Sequence, residues 1–141
     1  MLNDIKVART YPYPPEAVWS ALTDSDALAS WFLPNDFRAE VGHAFTFQDK
    51  PAPGFDGTIR CRVLAVDQTN HRLVYSWQGG SIDTEVEFRL SPTPAGGTRL
   101  ELEHRGFSGL VNKLFVRNLL AAGWRKKLLA IKLPQYLAAR A

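Results

Sequence analysis

With Cys61 as its one cysteine, the chain can form neither an internal disulfide nor a thiolate metal cluster. Apolar runs fall well short of the ~18 residues that a membrane span requires. Residues 1–6 carry no basic stretch leading into an apolar one, so no secretory leader is expected and the reducing cytoplasm is the expected location. The three histidines, His43, His71 and His104, stand far apart, and two of them fall in turn-like sequence. No metal site is therefore expected, and no cofactor. The sequence also lacks a Gly-x-Ser-x-Gly elbow, a His-Glu-x-x-His helix and a phosphate-binding loop. These absences leave no sequence support for a serine-elbow hydrolase, a metalloprotease of that motif or a phosphate-loop nucleotide binder.

What is present fits one domain over residues 1–141, with 45% hydrophobic and 22% charged residues. A chain of this length buries roughly 70% of its unfolded surface and needs no staple. Aromatics reach 11%, four of them Trp, and such side chains require a core or a pocket. The net charge is +3, and much of the excess falls late, at Arg117, Arg125, Lys126, Lys127, Lys132 and Arg140. A basic helix can meet nucleic acid or an anionic membrane. Without a nucleic-acid motif or accompanying exposed aromatics, this one reads as the solvated face of an amphipathic helix, and no nucleic-acid partner is expected.

Ile5 to Tyr11 alternates as a strand, and Pro12, Pro14 and Pro15 end it. Pro15-Glu16 opens a helix with Val18, Trp19 and Leu22 on its apolar face. Asp24 or Ser25 caps a second helix carrying Leu28, Trp31 and Phe32. Period-two alternation follows at Phe37/Ala39/Val41, Phe45/Phe47, Ile59/Cys61/Val63/Ala65, Leu73/Tyr75/Trp77, Thr84/Val86/Phe88/Leu90 and Thr98/Leu100/Leu102/His104. Asp83, Glu85, Glu87 and Arg89 take the opposite, wet face. Residues 49–56 read as an exposed loop, Asn70-His71 as a turn and Gly96-Gly97 as a hairpin turn. An antiparallel sheet with one dry face must be covered. The cover is the segment from Asn112 to about Ala139, a helix roughly 40 Å long. Its apolar positions include Phe115, Leu119, Leu120, Trp124, Leu128, Ile131 and Leu137, and Pro134 should bend or interrupt its last turns.

Three stretches resemble a known family. Val18-Trp19-Ser20-Ala21-Leu22-Thr23-Asp24, followed by Leu28 and Trp31, is similar to the opening signature of the heat-shock-protein ATPase activator homologue family, within the START-like (SRPBCC) superfamily. Gly97-Thr98-Arg99-Leu100-Glu101-Leu102-Glu103-His104-Arg105-Gly106 resembles its penultimate motif. Gly123-Trp124, with Leu128 and Ile131, resembles its helical motif. The resemblance runs in order from about Ile5 to Leu137. It implies an α+β helix-grip fold: a strand, two short helices, six further strands, and a long C-terminal helix gripped by the curved antiparallel sheet over a deep cavity. Members include small-ligand binders, relatives of polyketide cyclases, a self-sacrificing resistance protein and many bacterial proteins.

The dry face offers Phe45, Phe47, Tyr75, Trp77, Val86, Phe88, Leu100 and Leu102 as candidate ligand contacts. Leu120 and Trp124 face back from the helix, while Trp31 and Phe32 close one end. As single residues these are core; as a set around a helix on a curved sheet they can line a pocket. His104 shares the parity of Leu100 and Leu102 and points inward. It can bond a ligand or act as acid or base, or it can be a satisfied buried histidine. Tyr75 offers a phenol by the same parity. Arg9 either attracts a carboxylate at a pocket mouth or reaches water, and Cys61 reads as a small buried hydrophobe. The dry strands from Phe37 to His104 contain no inward Asp or Glu, so a carboxylate pair for acid–base work has no place.

Three functions follow from this reading. The first is binding of a small apolar or aromatic molecule, such as a lipid or polyketide-like metabolite, with gates at the 49–56 and 105–111 loops. The second is a cyclase, dehydratase or hydrolase using His104 and Tyr75 without a cofactor. The third is co-chaperone-like stimulation of a heat-shock ATPase. A homodimer is compatible with all three.

Overall fold

Prolines and caps set the first boundaries of the computed structural model, which describes residues 4–141. β1 (Ile5–Tyr11) ends before a proline cluster that has no amide hydrogen to continue a ladder. α1 (Pro15–Thr23) holds proline in its first turn, with Glu16 beside the free amides. α2 (Ser25–Trp31) is capped by Asp24, whose carboxylate accepts from the Ala27 amide at 3.1 Å. The Trp31 indole donates to the Ala21 carbonyl at 2.8 Å and locks the two helices together.

The strands that follow are β2 (Ala44–Gln48), β3 (Thr58–Asp67), β4 (Arg72–Gly79), β5 (Ile82–Pro92) and β6 (Thr98–Arg105). Among the described residues they form a six-stranded antiparallel sheet in the order β1-β6-β5-β4-β3-β2, with Ile5 opposite His104 and Tyr11 opposite Thr98. A register shift between Val63 and Ala65 marks a bulge in β3, which adds local twist and bends the strand. A helix over residues 110–140 lies across the concave face. This is the helix-grip α+β architecture, with one strand fewer than expected.

The missing strand is the Phe37–Val41 stretch. The Phe37 amide donates to the Asn35 side chain at 2.9 Å, and the Glu40 amide to the Arg38 carbonyl at 2.8 Å. Local turns consume the backbone groups that a ladder would need. Phe37 is buried edge-on against Phe45, whereas Val41 is 67% exposed.

The C-terminal helix also differs from a uniform α-helix. Asn112–Val116 and Gly123–Lys132 bond with five-residue spacing, and Arg117–Ala122 and Leu133–Arg140 are α-helical. The wider turns shift the inner row to Ala121, Trp124, Leu129, Leu133 and Leu137. Leu128 is half-buried, and Phe115, Leu119 and Ile131, read as apolar-face residues, are exposed. Pro134 does not interrupt the helix. It lies where the widened segment passes into the last α-helical one, and the backbone stays helical on both sides of it.

Two charged residues fall in unexpected places. Glu87, assigned to the wet face, is only 5% exposed, because Arg72, Arg89 and Arg105 close over it. Burial alone would raise its pKa; the hydrogen bonds from Arg72 and Arg105 outweigh burial and hold it below the usual carboxylate range. Arg9 neither lines a pocket mouth nor simply reaches water. Its guanidinium is half-buried and donates to the Arg125 carbonyl of the helix at 2.9 Å. Beside it, the Tyr11 hydroxyl donates to the Leu129 carbonyl at 2.7 Å, and burial pushes that phenol's pKa up. β1 thus grips two carbonyls of the widened helical segment.

Two glycines test this packing in opposite directions. A methyl group at Gly97 would run into the Tyr11 carbonyl, whereas one at Gly123 meets open space within the helix. Gly97→Ala is expected to lower stability by about 1–3 kcal/mol, and Gly123→Ala to raise it by about 0.5–1 kcal/mol. Urea unfolding of the two variants beside wild type checks both signs.

Candidate functional site

The concave face converges on an aromatic cluster. Phe32, at the end of α2, has its ring centroid 4.8 Å from Phe47, 5.5 Å from Trp124 and 6.0 Å from Trp77. Trp77 and Trp124 approach to 5.9 Å, and Phe88 closes on Trp124 at 6.0 Å. Eleven of the thirteen side chains expected here are buried: Trp31, Phe45, Phe47, Tyr75, Trp77, Val86, Phe88, Leu100, Leu102, His104 and Trp124. Phe32 and Leu120 are half-buried and pack against the cluster. Such offset and edge-on arrangements suit the ring quadrupoles.

His104 sits inside this cluster, fully buried. The Thr84 hydroxyl donates to the Trp77 carbonyl at 3.0 Å, so it accepts from His104 Nε2 at 2.8 Å. His104 Nδ1 in turn accepts from the Trp124 indole at 3.2 Å. The chain of donors fixes the neutral tautomer protonated at Nε2. Burial disfavours the imidazolium and lowers the pKa to about 3. Both ring nitrogens are engaged, so acid–base service by His104 requires Thr84 or Trp124 to let go first.

Tyr75 is buried in the same face, 5.2 Å from Phe45, and burial, with the nearby Cys61 thiol, pushes its phenol well above the ordinary value. It opposes Val86, which opposes His104 on the next strand. Two strand spacings, about 10 Å, therefore separate the two proposed catalytic groups. Cys61 is buried, and burial raises its thiol to about 12. Among the described residues no three or more His, Cys, Asp or Glu side chains are grouped to hold a metal.

One end of the cluster is roofed lightly. Phe107 of the 105–111 loop is buried with its ring 4.9 Å from His104, and half-buried Phe55 of the 49–56 loop lies against Gly79. Asn112 pegs the helix start: its amide donates to the Ser81 and Ser108 carbonyls at 3.2 and 3.0 Å, and its carbonyl accepts from the Ser81 hydroxyl at 2.8 Å. Of the described residues from 112 to 122, Asn112 and Ala121 alone are buried. Two open depressions among the described residues, of about 530 and 650 Å³, include Arg60, Arg62 and Gln78 in one and Asp83, Glu85 and Arg105 in the other. Those side chains belong to the polar face, but Phe45 and Cys61 reach the first depression and Thr84 and Phe107 the second, so both border the buried interior.

Sequence reasoning put Thr84 on the dry face without pairing it to His104, and it missed Ser81 and Asn112. Parity says which face a residue takes, but register decides which strand neighbour it meets.

A curved antiparallel sheet closed over an aromatic-lined interior by a C-terminal helix defines the START-like helix-grip class. Within that class the chain belongs to the family described as Activator of Hsp90 ATPase homolog 1-like protein, matched over residues 12–138. Protein MLL2253 from Mesorhizobium loti is similar at 30% identity and a TM-score of 0.86, over 98% of each chain. Protein BH1534 from Bacillus halodurans is also 30% identical, over 95% of this chain and 96% of its own, with a TM-score of 0.77. An HSP90 activator from Plasmodium falciparum shares the fold at 21% identity and a TM-score of 0.70, over 89% of this chain and 90% of its own. No curated protein matches the sequence. Among the described residues no helix is long and apolar enough to cross a membrane.

The buried neutral histidine has a pH signature. Its folded pKa of about 3 lies below the ordinary 6.5, so the unfolded chain binds the extra proton between those values. Its stabilising effect is fully present above pH 6.5 and is lost as pH falls towards 3. The slope should approach about 1.4 kcal/mol per pH unit below pH 6. Asp56, Asp67 and Glu87, all held below the usual carboxylate range, act at lower pH. Urea midpoints between pH 5 and 7 should fall with acidity in wild type and flatten in His104→Gln. An equal slope in both proteins would remove His104 as the cause.

Proposed function

We propose that the protein binds a small apolar or aromatic molecule, lipid or polyketide-like, between the sheet and the N-terminal half of the C-terminal helix. The observation that carries this reading is the unequal fastening of that helix over the aromatic cluster. Trp124, Leu129, Leu133 and Leu137 anchor its later turns in the core, while its earlier turns rest on buried Ala121, half-buried Val116 and Leu120, and a polar peg at Asn112. Half-buried Phe32 stands between α2 and the helix as an aromatic plug. A ligand that displaces Phe32 would find Phe47, Trp77, Phe88 and Trp124 as walls and the His104–Thr84 pair as its polar contact. Apolar concavities with a few placed polar groups are the usual form of such sites.

Native mass spectrometry after exposure to a cell metabolite extract tests the reading. Wild type should acquire a reproducible mass increment. Phe32→Ala should increase the bound fraction at least threefold, and Ala121→Trp, which would place a large ring where the ligand is to sit, should abolish it. A clean apo mass in both wild type and Phe32→Ala would overturn the proposal.

A second reading, stimulation of a heat-shock ATPase, is favoured by the family description and by the fold shared with a protein titled an HSP90 activator. It predicts faster ATP turnover by the chaperone when this protein is added, and an unchanged rate would dismiss it. Turnover by the protein itself would need His104 released from Thr84 or Trp124, which the closed cluster does not favour.

A further inference from the structure

The start of the C-terminal helix presents apolar side chains to solvent. Leu110, Val111, Leu114, Phe115 and Leu119 are each between 52% and 74% exposed. Positions 111, 115 and 119 follow at four-residue steps and share one exposed side of the helix, while Asn112 and Ala121 are buried. A contiguous patch of this kind on a water-soluble surface marks a contact site.

Charge identifies what it meets. From His104 to Ala141 the chain contains no Asp or Glu. Lys113 is exposed but borders a depression shared with Asp4, Asp83 and Glu85, whereas Lys126 and Lys127 are exposed seven and eight residues beyond Leu119, roughly 10 Å along the axis. Lys132 continues the basic run, exposed beside Ile131. Arg117 and Arg125 are tied back to the Asp4 and Lys6 carbonyls at 3.0 Å each and steady the helix against the end of β1. A second copy docking helix on helix would bring two rows of lysines together, so self-association opposes its own charges. An anionic lipid surface complements both halves of the pattern. Its acyl boundary takes Leu, Val and Phe without a shaped groove, and its headgroups take the lysines.

We infer that the N-terminal half of the C-terminal helix docks on an anionic bilayer surface, inserting Leu110, Val111, Leu114, Phe115 and Leu119 while Lys126 and Lys127 meet the headgroups. The protein lies on the membrane through one face of one helix and does not span it. This inference is independent of any ligand beneath the helix, because the docking side chains point away from the aromatic cluster.

Vesicle co-sedimentation tests it, with phosphatidylcholine vesicles containing 30% phosphatidylglycerol against pure phosphatidylcholine. Binding should be at least tenfold tighter to the anionic vesicles and should weaken as salt rises. Phe115→Ser combined with Leu119→Ser should reduce it tenfold or more. Neutralising Lys126 and Lys127 with Gln should cost about fivefold per charge. All four positions are exposed, so the variants should keep the wild-type melting temperature. A Leu119→Trp variant should show a blue-shifted emission with anionic vesicles, reporting insertion. No vesicle binding overturns the inference, as does binding unaffected by either set of substitutions. A monomer–dimer equilibrium abolished by Phe115→Ser/Leu119→Ser, without vesicle binding, would assign the patch to a second copy. Loss of a complex with an acidic protein under the same conditions would assign it to a protein partner.

Discussion

The hydrogen bond from the Trp124 indole to His104 is the constraint on which the interior depends. Trp124 belongs to the helix and His104 to β6, so this bond joins the two layers at the centre of the grip. It holds only while His104 is neutral; burial keeps the ring neutral, and Thr84 sets the tautomer by accepting from the other ring nitrogen. Thr84 is itself oriented by the Trp77 carbonyl. Four residues on four elements are thereby set by one proton arrangement. A cluster built only of apolar rings would fill the same space, but with less to fix the helix's rotation over the sheet.

The helix is fastened by different physics at its two ends. Beyond Gly123 it is held by large apolar side chains in the core and by Arg9 and Tyr11 reaching up to its carbonyls. Before Gly123 it is held by Asn112, Arg117, one small buried residue, Ala121, and the half-buried side chains of Val116 and Leu120. Apolar burial is hard to reverse locally, whereas a few polar links exchange readily with water. The same segment that roofs the aromatic cluster most lightly also turns its large apolar residues outward. Opening of the interior and contact with an apolar surface therefore involve one stretch of chain.

The sheet was legible in the sequence because period-two alternation is a direct image of a half-buried antiparallel strand. It failed at Phe37, Ala39 and Val41, where three alternating apolar residues suggested a strand and the Asn35 side chain claimed the backbone instead. The concave-face residues followed from parity, and Trp77, Phe88, Leu100 and His104 all point inward as that parity requires. The helix's contact row followed only in part: Trp124 and Leu137 are buried as expected, but a 3.6-residue period selects Leu128 and Ile131, and the widened turns present Leu129 and Leu133. Nothing in Gly123–Lys132 announces that widening. Glu87 was misplaced for a different reason: alternation reports the face of a strand, and cannot report that three arginines on neighbouring positions will cover it. Whether the aromatic residues leave an open space or fill it is likewise a matter of side-chain packing that composition does not encode.

Cys61 has a practical consequence. Its thiol is shut inside β3 and its ionisation is suppressed, so at neutral pH it offers almost no nucleophile to a maleimide or a methanethiosulfonate. The natural sequence is therefore already a single-site labelling background. One cysteine introduced on the outer side of the helix and a second on an exposed strand position would accept a pair of spin labels without removal of the native thiol. The distance between them would follow the roof of the cluster directly, in solution, as it rests or lifts.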